Sequence, residues 1–471
     1  MDIEKRARRQ SRRIIISEIL MVVTVIVTVL ILAFVVSGYW VGSDFKIERQ
    51  GLLQVYSAPT GADVNIDGSP SSWLQRTNTS KTLSAGEHSI VLSKDGYDTW
   101  SRNIKITEGL LYRLHYPRLF LKNRTNEVAL ESSANFATIS PDRNTLLLAN
   151  NTTSWQLVKL DTDKVNVTSV DLSKILPFSS LATDASTGLF SGVIKSVKWA
   201  SDNEHLLLEA EQNAITNWLV INIKNPANSV NLTKEFNADF VEIKILDQSA
   251  NNLLAVINGN LHRINVSDKQ ISAILVPDVT FFDYHDQDVV FSAKKNTTEE
   301  SPDPYYIGLF RLGSDEIKTL KTTTNSTRPV AMKFYDDEYI GVVDGASITL
   351  YIEKDFVEKS TYQLSFSPED IKVGVAGEAI TMYTGGHIAT LDMEAMEIFD
   401  WSTDTDKFDW LDGSMIYAVK DGILNVYDFN GLNHRTLSSN VSSHFPVTIT
   451  SDRYLYYFRD GSLIREWIIE K

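Results

Sequence analysis

The six residues from Asp283 to Asp288, which read Asp-Tyr-His-Asp-Gln-Asp, contain the densest group of potential metal ligands in the sequence. An imidazole and several carboxylates close together are donors that zinc or calcium can use. The same residues follow an apolar strand pattern and begin a turn, where solvated carboxylates are common. We favour the turn and predict no metal site here.

A second acidic group is Asp404-Thr405-Asp406, followed by Asp409 and Asp412. Its spacing is similar to the opening of a calcium loop, but it lacks the glycine and the terminal glutamate of an EF-hand. The sequence again favours a turn.

Three tryptophans, Trp199, Trp401 and Trp410, stand at comparable positions before predicted hairpins. Stacked aromatic rings would form a sugar-binding surface, but such residues more often belong to the core of a β-sheet. The chain has no Gly-x-Ser-x-Gly, phosphate-loop or His-Glu-x-x-His motif, and its eight histidines are scattered. We therefore predict no catalytic, cofactor-binding or metal-binding residue and no enzymatic activity.

The amino-acid composition excludes several kinds of site and of binding partner. The chain has 471 residues, no cysteine, 43% hydrophobic residues and a formal net charge of −15. The missing cysteines exclude disulfides and thiolate metal sites. Because 6 of the 45 basic residues fall in the first 13 positions, the remainder is even more acidic and would repel nucleic acid.

Residues 19–40 carry no charged side chain and are rich in Val, Ile and Leu. A helix of this length spans roughly 33 Å, which matches a bilayer core. The basic residues before it place a tail of residues 1–18 in the cytoplasm and everything after it outside. The competing interpretation is a cleaved signal peptide, but the segment is long and no Ala-x-Ala site follows. We expect a single-pass plasma-membrane protein.

The next segment alternates apolar and polar residues between turns, with Pro59-Thr60-Gly61, Asp67-Gly68 and Gly86-Glu87-His88 as landmarks. Residues 51–118 resemble the PEGA domain, a small β-sandwich of bacterial and archaeal envelope proteins. Thr60 departs from the family's motif in a turn, which affects loop shape more than the fold. The resemblance implies a spacer or binding module without catalysis, and His88 alternates with apolar residues as part of a strand.

Beyond Arg118 one pattern recurs, an apolar strand, a polar turn and a second strand ending in an acidic or amide residue. Its spacing averages about 44 residues, as in four-stranded propeller blades. The eight copies are Leu146–Asp161, Leu206–Asn222, Leu253–Asn265, Val289–Leu312, Tyr339–Glu353, Ala379–Asp392, Met415–Asp428 and Tyr454–Ile469. Ser140-Pro141-Asp142-Arg143 resembles the repeat opening of TolB-like and WD40-like propellers.

Residues 123–471 are therefore predicted to form a β-propeller of seven or eight blades, with two stacked β-sandwiches as the alternative. Glu127 to Leu130 is predicted to complete the blade that ends with Leu463 to Ile469, since an unpaired final strand would leave an exposed edge. The fold class is an all-β ectodomain on one transmembrane helix.

Ten Asn-x-Ser/Thr sequons are present, but a chain rich in Asn, Ser and Thr forms several by chance, so they carry little weight. We expect an extracytoplasmic binding or scaffolding protein of the prokaryotic envelope, whose partner is an envelope protein or a cell-wall glycan. The alternative is a propeller hydrolase or lyase acting on envelope polymers.

Overall fold

A computed structural model describes most of the chain. The described residues are 17–33, 39–41, 47–70, 76–132, 134, 136–149, 154–160, 165–171, 193–212, 214–295, 302–314, 316–352, 357–374, 377–403, 405, 408–442, 448–450 and 453–469. Within them, helix is confined to residues 17–33, the 3-10 turn Pro226–Asn228 and the short helix Leu232–Phe236. The remaining regular structure is β-strand, which confirms the all-β prediction for the body.

The amino-terminal helix differs from the sequence prediction at its carboxyl end. None of the helices in the described ranges is long and apolar enough to cross a membrane. Tyr39 and Trp40, predicted to end the 19–40 helix, instead lie in strand β1 (Tyr39–Val41). There they pair with Arg49 and Glu48, so a neighbouring strand and not a helix provides their backbone partners.

The chain divides into two compact units, Met1–Lys122 and Asn123–Lys471. Beyond β1, the strands of the first unit are β2 (Ile47–Val55), β3 (Asp63–Ile66), β4 (Ser69–Pro70), β5 (Thr79–Ser84), β6 (Gly86–Ser93), β7 (Trp100–Ile106) and β8 (Leu111–Leu114). Its described residues form two four-stranded sheets, one of β1, β2, β5 and β8 and the other of β3, β4, β6 and β7.

Strict alternation builds the core of this unit. In β7 every second residue is buried, from Trp100 to Ile106. In β2 the alternate residues Leu53 and Val55 are buried. The predicted hairpin turn at Asp67-Gly68 joins β3 to β4, and both residues have the positive φ that a tight two-residue turn requires. The alternating pattern in the sequence thus specifies a sheet with one buried face.

The second unit begins with β9 (Asn126–Glu131), and its described residues form eight four-stranded sheets, here called blades I to VIII. Blade I comprises β10 (Phe136–Ile139), β11 (Thr145–Ala149), β12 (Ser154–Lys159) and β13 (Asn166–Asp171), and blade II comprises β14 (Val193–Trp199), β15 (His205–Gln212), β16 (Ile215–Asn222) and β17 (Val230–Asn231). Blade III comprises β18 (Phe240–Ile245), β19 (Asn252–Ile257), β20 (Asn260–Asn265) and β21 (Gln270–Ile271), and blade IV comprises β22 (Val279–His285), β23 (Asp288–Lys294), β24 (Tyr305–Arg311) and β25 (Lys318–Thr323).

Blade V comprises β26 (Pro329–Phe334), β27 (Asp337–Val343), β28 (Ser347–Ile352) and β29 (Val357–Gln363), and blade VI comprises β30 (Asp370–Val373), β31 (Ala379–Thr384), β32 (His387–Asp392) and β33 (Glu397–Ser402). Blade VII comprises β34 (Phe408–Trp410), β35 (Met415–Lys420), β36 (Ile423–Asp428) and β37 (Arg435–Ser438), and blade VIII comprises β38 (Thr448–Thr450), β39 (Tyr454–Arg459) and β40 (Ser462–Trp467) together with β9. The eight predicted hairpins are the second and third strands of the eight blades.

The blades pack face to face in a ring. Second strands are buried on both faces, because their side chains point alternately at the two neighbouring blades. Leu147 packs against blade II, whereas Leu146 and Leu148 on either side of it pack against Tyr456 of blade VIII. This explains the runs of consecutive apolar residues in the second strands. The arrangement confirms a propeller and rules out two stacked sandwiches in this unit.

Ring closure depends on β9, as predicted. It pairs antiparallel with β40, placing Leu130 opposite Leu463 and Glu127 opposite Arg465. The Arg465 Nε donates a hydrogen bond to the Glu127 carboxylate at 2.9 Å. The outermost strand of blade VIII therefore comes from the other end of the unit.

The antiparallel order also defines two ends of the ring. The upper face carries the turns between the second and third strands of each blade and the loops from one blade to the next. The lower face carries the other turns. First strands of neighbouring blades contact one another, β22 with β26 and β26 with β30, so first strands line the centre.

The closing strand can be tested with two fragments. Residues 123–471 should be soluble and β-rich by circular dichroism, with cooperative thermal unfolding. A fragment of residues 132–471 lacks β9, leaves the edge of β40 unpaired, and should unfold at lower temperature or aggregate. Equal melting temperatures would contradict the role of β9, and a strongly helical spectrum of the longer fragment would contradict the propeller.

Candidate functional site

A cleft of about 330 Å³ opens on the upper face where blades IV, V and VI meet. Phe281 comes from the first strand of blade IV. Residues 325–328 and 367–369 come from the two loops between these blades, and Asp370 and Ile371 from the beginning of β30. Val343 and Gly345 come from the second strand of blade V and its turn. The loops meet because each one leads into a first strand at the centre of the ring. Volumes of this size suit a small molecule or one residue of a larger ligand.

Arg328 is the fixed cation of this cleft. Its guanidinium carbon lies 4.7 Å from the centre of the Phe281 ring, and its Nε lies 3.3 Å from the Asp370 Oδ1. The side chain of Arg328 is 42% exposed. Stacking and the ion pair together hold a planar group at the cleft while part of it faces solvent.

Asp370 is itself held in place. Tyr383 donates its hydroxyl hydrogen to the Asp370 Oδ2 at 2.7 Å, and the Ile371 backbone N–H donates to Oδ1 at 2.9 Å. Burial raises the pKa of the Tyr383 hydroxyl, and its hydrogen bond to Asp370 acts in the same direction. Tyr383 therefore remains a hydrogen-bond donor to Asp370 over the physiological range.

The pairing of charges continues along the first strands. Lys372 lies 3.1 Å from the Asp409 carboxylate in blade VII, and its ammonium lies 5.4 Å from the Tyr383 ring centre. On the other side of the cleft, Lys244 of blade III pairs with Asp283 at 2.8 Å. These two pairs, like Arg328–Asp370, place opposite charges side by side on or next to the first strands.

The Asp283–Asp288 group does not converge on one point. Asp283 pairs with Lys244, the His285 Nε2 lies 4.0 Å from Glu338, and Asp288 pairs with Arg311 at 3.3 Å. Among the described residues no group of side chains could hold a metal ion. Asp286 and Gln287 form the turn between β22 and β23 on the lower face, with a φ of 49° at Asp286. The turn interpretation fits this geometry.

The second acidic group is also separated. Asp404 and Asp406 lie outside the described residues. Asp409 is engaged by Lys372, whereas Asp412 lies beyond the other end of β34 and accepts hydrogen bonds from the backbone N–H groups of Ser414 and Met415 at 2.8 and 2.7 Å. This aspartate shapes the turn before β35.

The three tryptophans do not form a stack. Trp199 and Trp410 belong to first strands, whereas Trp401 belongs to the outermost strand of blade VI. Trp401 packs 5.3 Å from Tyr427 of blade VII and closes over Gly431, where an added Cβ would lie 2.6 Å from the ring. These residues fill space within and between blades, as the core interpretation expected.

His88 has a structural role in the first unit. It lies in β6, and its Nδ1 is 2.7 Å from the Asp67 Oδ2, while its Nε2 is 2.9 Å from the Ser84 carbonyl oxygen. The hydrogen bond with His88 lowers the pKa of the Asp67 carboxyl, and the Ser89 N–H acts in the same direction. The pair ties the Asp67-Gly68 turn to β6.

Several sequons fall in the described part of the chain, and Asn325 lines the cleft. The described sequons begin at Asn78, Asn123, Asn166, Asn231, Asn265, Asn325 and Asn440. Asn150, Asn151 and Asn296 lie outside the described residues.

Sequence reasoning missed the cleft. Phe281, Arg328 and Asp370 are far apart along the chain and match no motif. Their shared signal is position, because each lies within the first three residues of a first strand or immediately before it, after an inter-blade loop. That position can be recognised only after the blade boundaries are known.

A different environment surrounds Glu378, which lies in the turn between β30 and β31 on the lower face. Burial raises the pKa of the Glu378 carboxyl from its ordinary 4.5 to about 7. Repulsion from Asp412, and then from Asp392, acts in the same direction. Glu378 therefore binds or releases a proton near neutral pH.

This carboxyl should make stability depend on pH. Because its pKa is higher in the folded protein, its favourable contribution is complete below pH 4.5 and is lost as the pH rises through about 7. Glu378→Gln should match the wild type near pH 4.5 and exceed its stability at pH 8 by up to about 3 kcal/mol, measured by denaturant unfolding. Glu316→Gln, at an exposed lower-face position, is the matched control. A constant difference between Glu378→Gln and the wild type at all pH values would contradict the assignment.

Comparison with known proteins supports the first unit. Residues 50–118 match the PEGA domain family, which confirms the resemblance. No curated protein sequence matches the chain.

Similar solved structures include a WD40 domain, an oligogalacturonate lyase and a computationally designed protein. The C-terminal WD40 domain of Sif2 is 12% identical with a TM-score of 0.47, covering 74% of this chain and 99% of that domain. An oligogalacturonate lyase from Vibrio parahaemolyticus is 11% identical with a TM-score of 0.40, covering 68% and 98%. The computationally designed Ika8 protein is 10% identical with a TM-score of 0.40, covering 72% and 97%. The strand pairing described above establishes the architecture, a PEGA domain at residues 50–118 followed by a β-propeller.

Proposed function

We propose that this chain is a membrane-anchored binding or scaffolding protein of the prokaryotic cell envelope, and that the upper face of its propeller binds a protein or a glycan outside the membrane. The observation that supports binding is the cleft around Arg328. Its charged groups are held in pairs, as in Arg328–Asp370 and Lys372–Asp409. Groups fixed in this way orient a ligand more readily than they exchange protons with it.

The anchor is supported by the character of residues 17–33. Their apolar side chains are exposed, with Leu20, Met21 and Leu30 at 67%, 69% and 62%. Thr24 and Thr28 donate their hydroxyl hydrogens to the carbonyl oxygens of Leu20 and Thr24 at 2.7 and 2.8 Å. Apolar side chains and internally satisfied hydroxyls suit a lipid environment.

The topology can be tested with protease added to intact spheroplasts. A carboxyl-terminal tag should be digested, while an epitope on the basic amino terminus should survive until the membrane is opened. Protection of the carboxyl-terminal tag would contradict the proposed orientation.

One observation favours the alternative, a propeller enzyme acting on envelope polymers. Glu378 has a pKa of about 7, which is suited to a general acid, and it lies near two further carboxyl groups. Its environment is on the lower face, apart from the cleft. Binding remains the leading proposal because a formed cavity lies on the upper face.

The two functions predict different results from one preparation. Tagged full-length protein should recover its partner from envelope extracts in a pull-down read by mass spectrometry. Ser367→Trp, which places a large ring at the cleft rim, should abolish recovery, whereas the lower-face variant His285→Ala with Asp286→Ala should not. Equal recovery by both variants would contradict binding at the upper face. Release of fragments from cell-wall polymer, lost in Glu378→Gln, would favour the enzyme.

A further inference from the structure

The cleft around Arg328 contains a binding group whose chemistry can be specified further. Arg328 uses its Nε against Asp370 and its flat face against Phe281. Within the described residues, its two terminal nitrogens have no hydrogen-bonding partner. A guanidinium held by one edge and one face presents its remaining N–H groups as a planar fork, which matches the two oxygens of a carboxylate.

The surroundings favour a carboxylate over a phosphate. Glu369 and Asp370 both line the cleft, and the whole chain carries a formal net charge of −15. One cation beside two carboxylates would repel a dianion more strongly than a monoanion. A planar monoanion satisfies the fork of Arg328 with the least repulsion.

The other walls indicate what is attached to that carboxylate. Val343, Pro368 and Ile371 line the cleft with apolar groups. Ser367 and Glu369 are exposed at the rim of the cleft, and their side chains have no hydrogen-bonding partner among the described residues. Their oxygen atoms can therefore accept a hydrogen bond from an N–H group of a ligand. A carboxylate, an apolar side chain and an adjacent N–H occur together in the last residue of a polypeptide. A sugar acid would instead present hydroxyls to the apolar wall, where they would lose their hydrogen bonds.

We propose that the cleft binds the free carboxyl terminus of a partner protein, with Arg328 pairing with the terminal carboxylate and Val343, Pro368 and Ile371 contacting an apolar last side chain. This inference rests on the proposed binding function and specifies its partner. Arg328 acts as the specificity-determining residue because it alone among the cleft-lining side chains is cationic.

The test uses the full-length chain in detergent and two pools of hexapeptides randomised at their last three positions. One pool ends in free carboxylates and the other in amides. The immobilised protein should enrich peptides with an apolar last residue from the carboxylate pool, and selected peptides should bind about tenfold or more tightly than their amides. Arg328→Lys should weaken binding about tenfold, and Arg328→Gln should remove the preference for the carboxylate.

The matched control is Arg311→Gln. Arg311 also lies 3.3 Å from an aspartate, Asp288, but it is at the lower-face end of blade IV, so its substitution should leave peptide binding unchanged. Equal enrichment of both pools, or no enrichment from either, would overturn the proposal. Displacement of selected peptides by inorganic phosphate or glucuronate at lower concentration than by free acetylvaline would also overturn it. If Ser367→Trp still abolishes partner recovery in those cases, the ligand class is wrong and the binding function stands.

Discussion

The pairing of β40 with β9 is the constraint on which the propeller depends. A ring of sheets has no free end only if its last blade takes a strand from its beginning, and here Leu130 lies opposite Leu463 to complete it. Closure brings blades VIII and I together around the buried Tyr456, whose hydroxyl donates to the Leu160 carbonyl oxygen at 3.2 Å. With the ring closed, first strands meet at the centre and inter-blade loops meet on one face, which is how the cleft forms.

Much of this architecture could be predicted from the sequence, because its signals are local. Asn258-Gly259 and Asp421-Gly422 have the positive φ angles of two-residue turns, and they join second to third strands as expected. Repetition of the hairpin pattern at the spacing of propeller blades then predicts the propeller. The need to pair the exposed edge of the last blade identifies β9 as its fourth strand. The sequence is consistent with seven or eight blades, and the strand pairing of unit 2 shows eight four-stranded sheets in its described residues.

The site could not be predicted because it depends on the direction of side chains in space. Asp283, His285 and Asp288 are close in sequence, yet each turns toward a different partner, Lys244, Glu338 or Arg311. Phe281, Arg328 and Asp370 show the reverse, since the ring brings distant residues together. The raised pKa of Glu378 likewise comes from burial and from neighbours in other segments. Proximity along the chain was therefore a poor guide to chemistry.

We propose that a ligand enters the upper-face cleft and is held by a guanidinium already in position. Hydrogen exchange of backbone amides, compared between the free full-length chain and its complex with a captured partner, tests this most directly. We expect slower exchange in residues 325–328 and 367–371 of the complex, with unchanged exchange in the lower-face turns at Asp286-Gln287 and Gly413-Ser414. Protection confined to the lower-face turns, with the cleft loops unaffected, would contradict it.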